Sequence, residues 1–104
     1  MIPSYFNKVC HSMGMPCVDE YKFLPDRKFR IDHAIIDGNI KIAIEEEGGI
    51  FTQGRHTRPM GFLGDLEKYN LLTEAGYYLL RYPPKKINYQ QIKKVYDGLK
   101  NRLT

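Results

Sequence analysis

Asp32 and the run Glu45-Glu46-Glu47-Gly48-Gly49 are the residues of this chain best suited to chemistry. The acids close a stretch, Ile40 to Glu47, that is otherwise isoleucine and alanine with a single lysine. Clustered carboxylates repel and raise one another's pKa values unless a cation relieves them. Oxygen ligands converging from two neighbouring strands are what Mg²⁺ or Mn²⁺ takes, and Mg²⁺ needs few of them because it keeps several waters. The chemistry this predicts is metal-assisted cleavage of a phosphodiester. The ion would neutralise a non-bridging oxygen, lower the pKa of its water and help the alkoxide depart. Asp32 and Glu45 suffice for one ion, while Glu47 would bind a second or accept the water's proton. The plainer alternative is a solvated strand end.

Strands must position these acids. Phe29 to Ile36 reads as a strand, Asp37-Gly38 as a hairpin turn, and Asn39 to Glu47 as the return strand. Side chains alternate across a strand. Ile40, Ile42 and Ile44 therefore share a core face, and Lys41, Ala43, Glu45 and Glu47 share the other, with Glu46 turned away. On the partner strand Arg30, Asp32, Ala34 and Ile36 share a face, so the hairpin can set Asp32 beside Glu45.

The remaining elements follow from caps and periodicity. Ser4 to Met13 reads as a helix capped by Ser4 and ended by Gly14, with Tyr5, Phe6, Val9 and Met13 as its stripe. Glu20 to Phe23 reads as a short strand before the turn Leu24-Pro25-Asp26-Arg27. Gly61 to Ala75 reads as a helix with Phe62, Leu66, Tyr69 and Leu72 on one side, stopped by Gly76. Tyr77 to Tyr82 is a strand ended by Pro83-Pro84. Asn88 opens a last helix, with Gln91 in the capping-box position and Ile92, Val95, Leu99 and Leu103 as its buried stripe. The order is α, β, β, β, α, β, α, and the helix between the last two strands suits a parallel crossover.

Several polar groups flank the acids. Arg55, His56, Thr57 and Arg58 follow them in a glycine- and arginine-rich loop, Gly48 to Met60, and suit phosphate contacts. An ordinary polar surface loop is the alternative, and His56 is also a candidate general acid or base. Arg27, Lys28 and Arg30 form a basic cluster beside Asp32, suited either to a DNA backbone or to balancing the acids. Tyr69 reads as core. His33 neighbours Asp32 and so faces the other side of its strand, in a structural role; His11 reads as a surface residue. From Lys85 onward, six basic residues (Lys85, Lys86, Lys93, Lys94, Lys100 and Arg102) stand against Asp97 alone. That excess is larger than the whole chain's net +4, so the basic character is local. It would track a polyanion with salt-sensitive binding, or simply form a solvated helix face.

The size predicts a single domain spanning residues 1–104, burying roughly two thirds of the unfolded chain's surface. Six residues separate Cys10 and Cys17 and there is no second pair, which misses zinc-finger spacing, and both read as reduced in a cytoplasmic setting. The opening Met1-Ile2-Pro3-Ser4-Tyr5 lacks a signal-peptide pattern, and no apolar run approaches the ~18 residues of a membrane span. No helix-turn-helix or zinc finger is spelled out. Sequence specificity is left to DNA shape, a homodimer or a partner protein.

In this order of elements the chain resembles the PD-(D/E)XK nuclease superfamily, and looks most like its small stand-alone, phage-type members. There is a looser likeness to very-short-patch-repair endonucleases. The matched features are Glu20-Tyr21, Arg27-Lys28-Phe29-Arg30-Ile31-Asp32, Ile44-Glu45-x-Glu47-Gly48-Gly49, Gly54-Arg55-His56-Thr57-Arg58, Glu67-Lys68-Tyr69-Asn70 and Leu80-Arg81-Tyr82. The resemblance implies an α/β fold with a mixed sheet: a restriction-endonuclease-like αβββαβ core, here with a C-terminal helix. It implies an Mg²⁺- or Mn²⁺-dependent DNA endonuclease leaving 5′-phosphate and 3′-hydroxyl, with Asp32 and Glu45 as the motif acids and Glu20 as an additional acid. The family's third motif residue is usually lysine, and here it is Glu47. Some members carry this E-x-E form, and others move the lysine to the following helix, where Lys68 stands. A non-catalytic nucleic-acid-binding or assembly module on the same fold is the other reading, and RNA remains open as the substrate.

Overall fold

The structure is a computed structural model that describes residues 2–47 and 59–103. Its elements run α1 (Tyr5–Ser12), β1 (Cys17–Tyr21), β2 (Ile31–Asp37), β3 (Ile40–Glu46), α2 (Pro59–Glu74), β4 (Tyr78–Tyr82) and α3 (Tyr89–Leu103). The four strands form one mixed sheet in the order β1-β2-β3-β4. The first two pairings are antiparallel and β3-β4 is parallel, as the crossover through α2 requires. The αβββαβ order with a C-terminal helix is thus the observed one.

Local chemistry sets the element ends. Ser4 caps α1, its hydroxyl accepting the Asn7 N–H at 3.0 Å. Gly14 and Gly76 follow α1 and α2 at φ +80° and +88°, the left-handed backbone that glycine adopts without a Cβ clash. Asp37 pairs with Ile40 across a two-residue turn, Gly38-Asn39. α2 opens on Pro59, at the one helical position where a missing N–H costs nothing.

Two apolar layers sandwich the sheet. One joins Ile35, Ile42 and Ile44 to Phe6 and Cys10 of α1 and to Ile92, Tyr96 and Leu99 of α3. The other joins Ala34 and Ala43 to Leu72 of α2, with Phe23 and Ile31. Both faces of the central strands are therefore covered, which explains their isoleucine- and alanine-rich runs.

Four expectations are corrected. The first strand is Cys17–Tyr21 instead of Glu20 to Phe23. Pairing already begins at Cys17 opposite Ile35, and Phe23 leaves the strand to pack beneath α2. Leu66 of the expected α2 stripe is exposed, while Leu72 is buried. In α3, Leu103 is exposed in the last turn, and Tyr96 joins the buried face, its hydroxyl donating to Asp37 Oδ2 at 2.5 Å. Asn88 does cap α3 by accepting the Gln91 N–H at 2.9 Å, but the Gln91 amide oxygen accepts from the Tyr82 hydroxyl. That tie to β4 replaces the return half of a capping box.

Candidate metal centre

The β2-β3 register, His33 opposite Ile44 and Ala34 opposite Ala43, carries on to set Asp32 opposite Glu45. Both lie on the face covered by α2. Here the two acids replace ladder rungs. The Asp32 N–H donates to Glu45 Oε2 at 3.0 Å, and the Glu46 N–H donates to Asp32 Oδ2 at 2.8 Å. On the other side, Cys17 opposite Ile35 and Tyr21 opposite Ile31 place Glu20 at the level of Asp32. Glu20 is exposed and sits at φ +49°, a left-handed backbone uncommon for a residue with a Cβ. Glu20, Asp32 and Glu45 thus form a row across three strands.

Glu45 is 94% buried by its 6% residual exposure, and that burial pushes its pKa up. Hydrogen bonds from Lys68 and the Asp32 amide oppose the rise, and the Asp32 charge adds to it. Lys68 reaches from α2 to pair with Glu45 Oε1. Lys68, expected from sequence as a substitute for the lysine that Glu47 replaces in the resemblance, therefore contacts Glu45.

Glu47 lies apart from this pair. Its Oε1 accepts from the Tyr69 hydroxyl at 2.5 Å and from Arg81 Nε at 3.0 Å, and its Oε2 accepts from Arg81 Nη2 at 3.2 Å. Burial alone would raise its pKa, but the Arg81 and Tyr69 hydrogen bonds prevail and hold it below the usual carboxylate range. Arg81 also lies over the Tyr69 ring, 4.7 Å from its centre. Tyr69 packs against the layer of Ala34, Ala43 and Leu72, as expected of a core residue, and its hydroxyl also holds Glu47. The carboxylates of Asp32, Glu45 and Glu47 do not draw together as one ligand group, because Arg81 on the neighbouring strand competes for Glu47.

Of the flanking basic residues, Arg27 pairs with Glu67 of α2 at 2.9 Å and covers the Phe29 ring, so it balances charge at the site's edge. Arg30 is exposed. Arg55, His56, Thr57 and Arg58 lie outside the described residues.

Comparison with known proteins returns no matching family model, no matching curated protein and no matching solved structure. Among the described residues, no helix is long and apolar enough to cross a membrane.

Sequence reasoning gave Arg81 a place in a pattern but no role. Its role follows from the parallel register, which pairs Arg81 with Glu45 and brings its guanidinium within reach of Glu47. A second group was missed altogether. Donor atoms of Cys17, Asp19 and His33 all lie within 4.8 Å of one another on the opposite face of the sheet. The available signal was the i, i+2 spacing of Cys17 and Asp19, which puts both on one face of a strand.

Proposed function

We propose that this protein is a metal-dependent DNA endonuclease whose site is built on Asp32 and Glu45. The observation that carries the reading is the pairing of these two acids across adjacent strands, with Lys68 set against Glu45 from the crossover helix. The donor set fits Mg²⁺ or Mn²⁺: two carboxylates close enough to perturb one another, one of them buried, both offering hard oxygen. When bound, such an ion supplies charge neutralisation at the phosphate and a more acidic water. Asp32 and Glu45 would hold it. Lys68 would orient Glu45 and place positive charge beside the reacting phosphate. Glu47, fixed by Arg81 and Tyr69, would align Arg81 at the edge of the site. Glu20 is the further acid of the row, and Arg30 and the 55–58 segment are the candidate backbone contacts.

One observation favours a second reading, a non-catalytic nucleic-acid-binding or assembly module. Both Glu45 oxygens and both Glu47 oxygens already have protein partners. Such pairing also suits an ion-pair network that serves only structure.

The deciding experiment is a cleavage panel of single-stranded, duplex and branched DNA, with RNA alongside, in Mg²⁺, Mn²⁺ and Ca²⁺. The endonuclease reading expects cleavage in Mg²⁺ or Mn²⁺ that Glu45→Ala abolishes. Undiminished cleavage by a folded Asp32→Ala/Glu45→Ala variant overturns it. Binding without cleavage in every metal establishes the second reading.

A further inference from the structure

The opposite face of the sheet carries a chemically different cluster. Cys17 and Asp19 project from β1, His33 from β2, and their donor atoms all lie within 4.8 Å of one another. Cys10 of α1 lies near Cys17 but is not among the donors that converge. Both thiols are buried, and His33 is 8% exposed.

The outer partners are also in place. His33 Nδ1 lies 2.8 Å from Asp19 Oδ1, so a single proton or cation between them would be shared. The other ring nitrogen faces Glu46 Oε1 at 3.7 Å, an electrostatic partner beyond hydrogen-bond range. Phe6 stacks on the ring at 4.0 Å and fixes its plane. Asp19 accepts from the Ser4 amide at 2.9 Å and from the Ser4 hydroxyl at 2.7 Å. Ligating histidines and carboxylates are commonly held by such second contacts, a carboxylate behind the imidazole among them. A cavity of about 410 Å³, lined in part by Ser4, His33 and Glu46, touches the group at His33.

We propose that Cys17, Asp19 and His33 form a zinc site that ties β1 to β2. One sulfur, one imidazole and one carboxylate make a borderline-soft set that suits Zn²⁺ and disfavours Mg²⁺. Three protein ligands leave a fourth tetrahedral position for water. Zinc takes the place of the proton between His33 Nδ1 and Asp19, with the ring keeping a hydrogen on Nε2, and the Cys17 thiol ionises as it binds; the released protons pass to the buffer. The ligands come from two strands and include a single cysteine, which is why spacing between the cysteines fails to show the set.

The test loads the full chain with Zn²⁺ or Co²⁺ and removes excess metal by dialysis. The expected result is one zinc per chain, and a cobalt form with thiolate-to-metal charge-transfer absorption and tetrahedral d–d bands. Cys17→Ser and His33→Gln lose the retained metal. Glu46→Gln, behind the imidazole, weakens zinc binding by about 10-fold. Asp32→Ala keeps it, which separates this site from the carboxylate pair on the other face. Zinc also protects the Cys17 thiol from alkylation in the wild-type chain. A folded wild-type chain that shows no thiolate-to-cobalt band overturns the proposal, whatever the variants do. So does zinc retained equally by wild type and Cys17→Ser, which marks an adventitious ion only.

Discussion

The two faces of the β2-β3 hairpin use adjacent residues for opposite chemistries. Toward α2 stand Asp32 and Glu45, oxygen donors set against Lys68, with Glu47 and Arg81 beside them. Toward α1 stand His33 and Glu46, one residue along on each strand, with Cys17 and Asp19 from β1. The first face combines full negative charges with cationic partners from α2 and β4. The second sets sulfur and imidazole over a large apolar layer. Strand alternation alone produces this division. A one-residue slip in register would exchange the two sets and destroy both.

The largest expected effect breaks the first face without touching the second. On the proposed endonuclease reading, Glu45→Ala, or Asp32→Ala, should lower metal-dependent DNA cleavage about 100-fold or more, since several kcal/mol of charge stabilisation is lost. Circular dichroism and zinc content should be unchanged. Steady-state cleavage under saturating Mg²⁺ makes the measurement.

Core truncation comes next and compares the layers themselves. Ile44→Ala, fully buried between the sheet and α1/α3, should cost about 2–5 kcal/mol in denaturant unfolding. Leu66→Ala, on the exposed side of α2, should change stability by about 0.5 kcal/mol or less. Similar losses at both positions would show that α2 buries more than the structure assigns to it.

A smaller effect concerns α1. Ser4→Ala removes both the helix cap and a hydrogen bond to Asp19, and should cost about 1 kcal/mol or somewhat more. A loss several times larger, recovered by added zinc, would tie the cap to the metal site.

The smallest effect is in pH, where the two glutamates of the α2 face have opposite signs. The Glu47 pKa is held down, so its contribution is present at neutral pH and is lost as pH falls through its depressed folded pKa. The Glu45 pKa is pushed up, so the folded state holds its proton longer than the unfolded chain does. Its contribution is therefore present below the ordinary carboxylate pKa and declines as pH rises through the raised value. Unfolding midpoints of Glu47→Gln and Glu45→Gln against wild type, followed from acid to neutral pH, should diverge in opposite directions.

Much of this was legible in the residues. Asp37-Gly38 announced the hairpin, and two-residue periodicity then placed Asp32 beside Glu45. Ser4, Gly14, Gly76 and Asn88 marked helix ends because each supplies a cap or a backbone conformation that few residues can. Long-range pairing was harder to read. That Glu47 would turn to Arg81 depends on a parallel register set by a crossover, which no local pattern encodes. Cys17 and Asp19 sit in a strand of mixed polarity, so neither periodicity nor cysteine spacing singled them out. Leu66 and Leu103 were apolar at helical spacing, yet no element among the described residues covers them.

The exchange of hydrogen bonds at the end of the hairpin makes the acids part of the backbone's own fastening. Where a sheet normally closes with amide meeting carbonyl, the Asp32 and Glu46 amides rest on carboxylates. Whatever draws charge from those carboxylates, whether a proton, a cation or a phosphate-laden ligand, also loosens or tightens two peptide groups. Their hydrogen–deuterium exchange rates should therefore report occupancy of the site in the absence of any turnover, from a probe built into the chain.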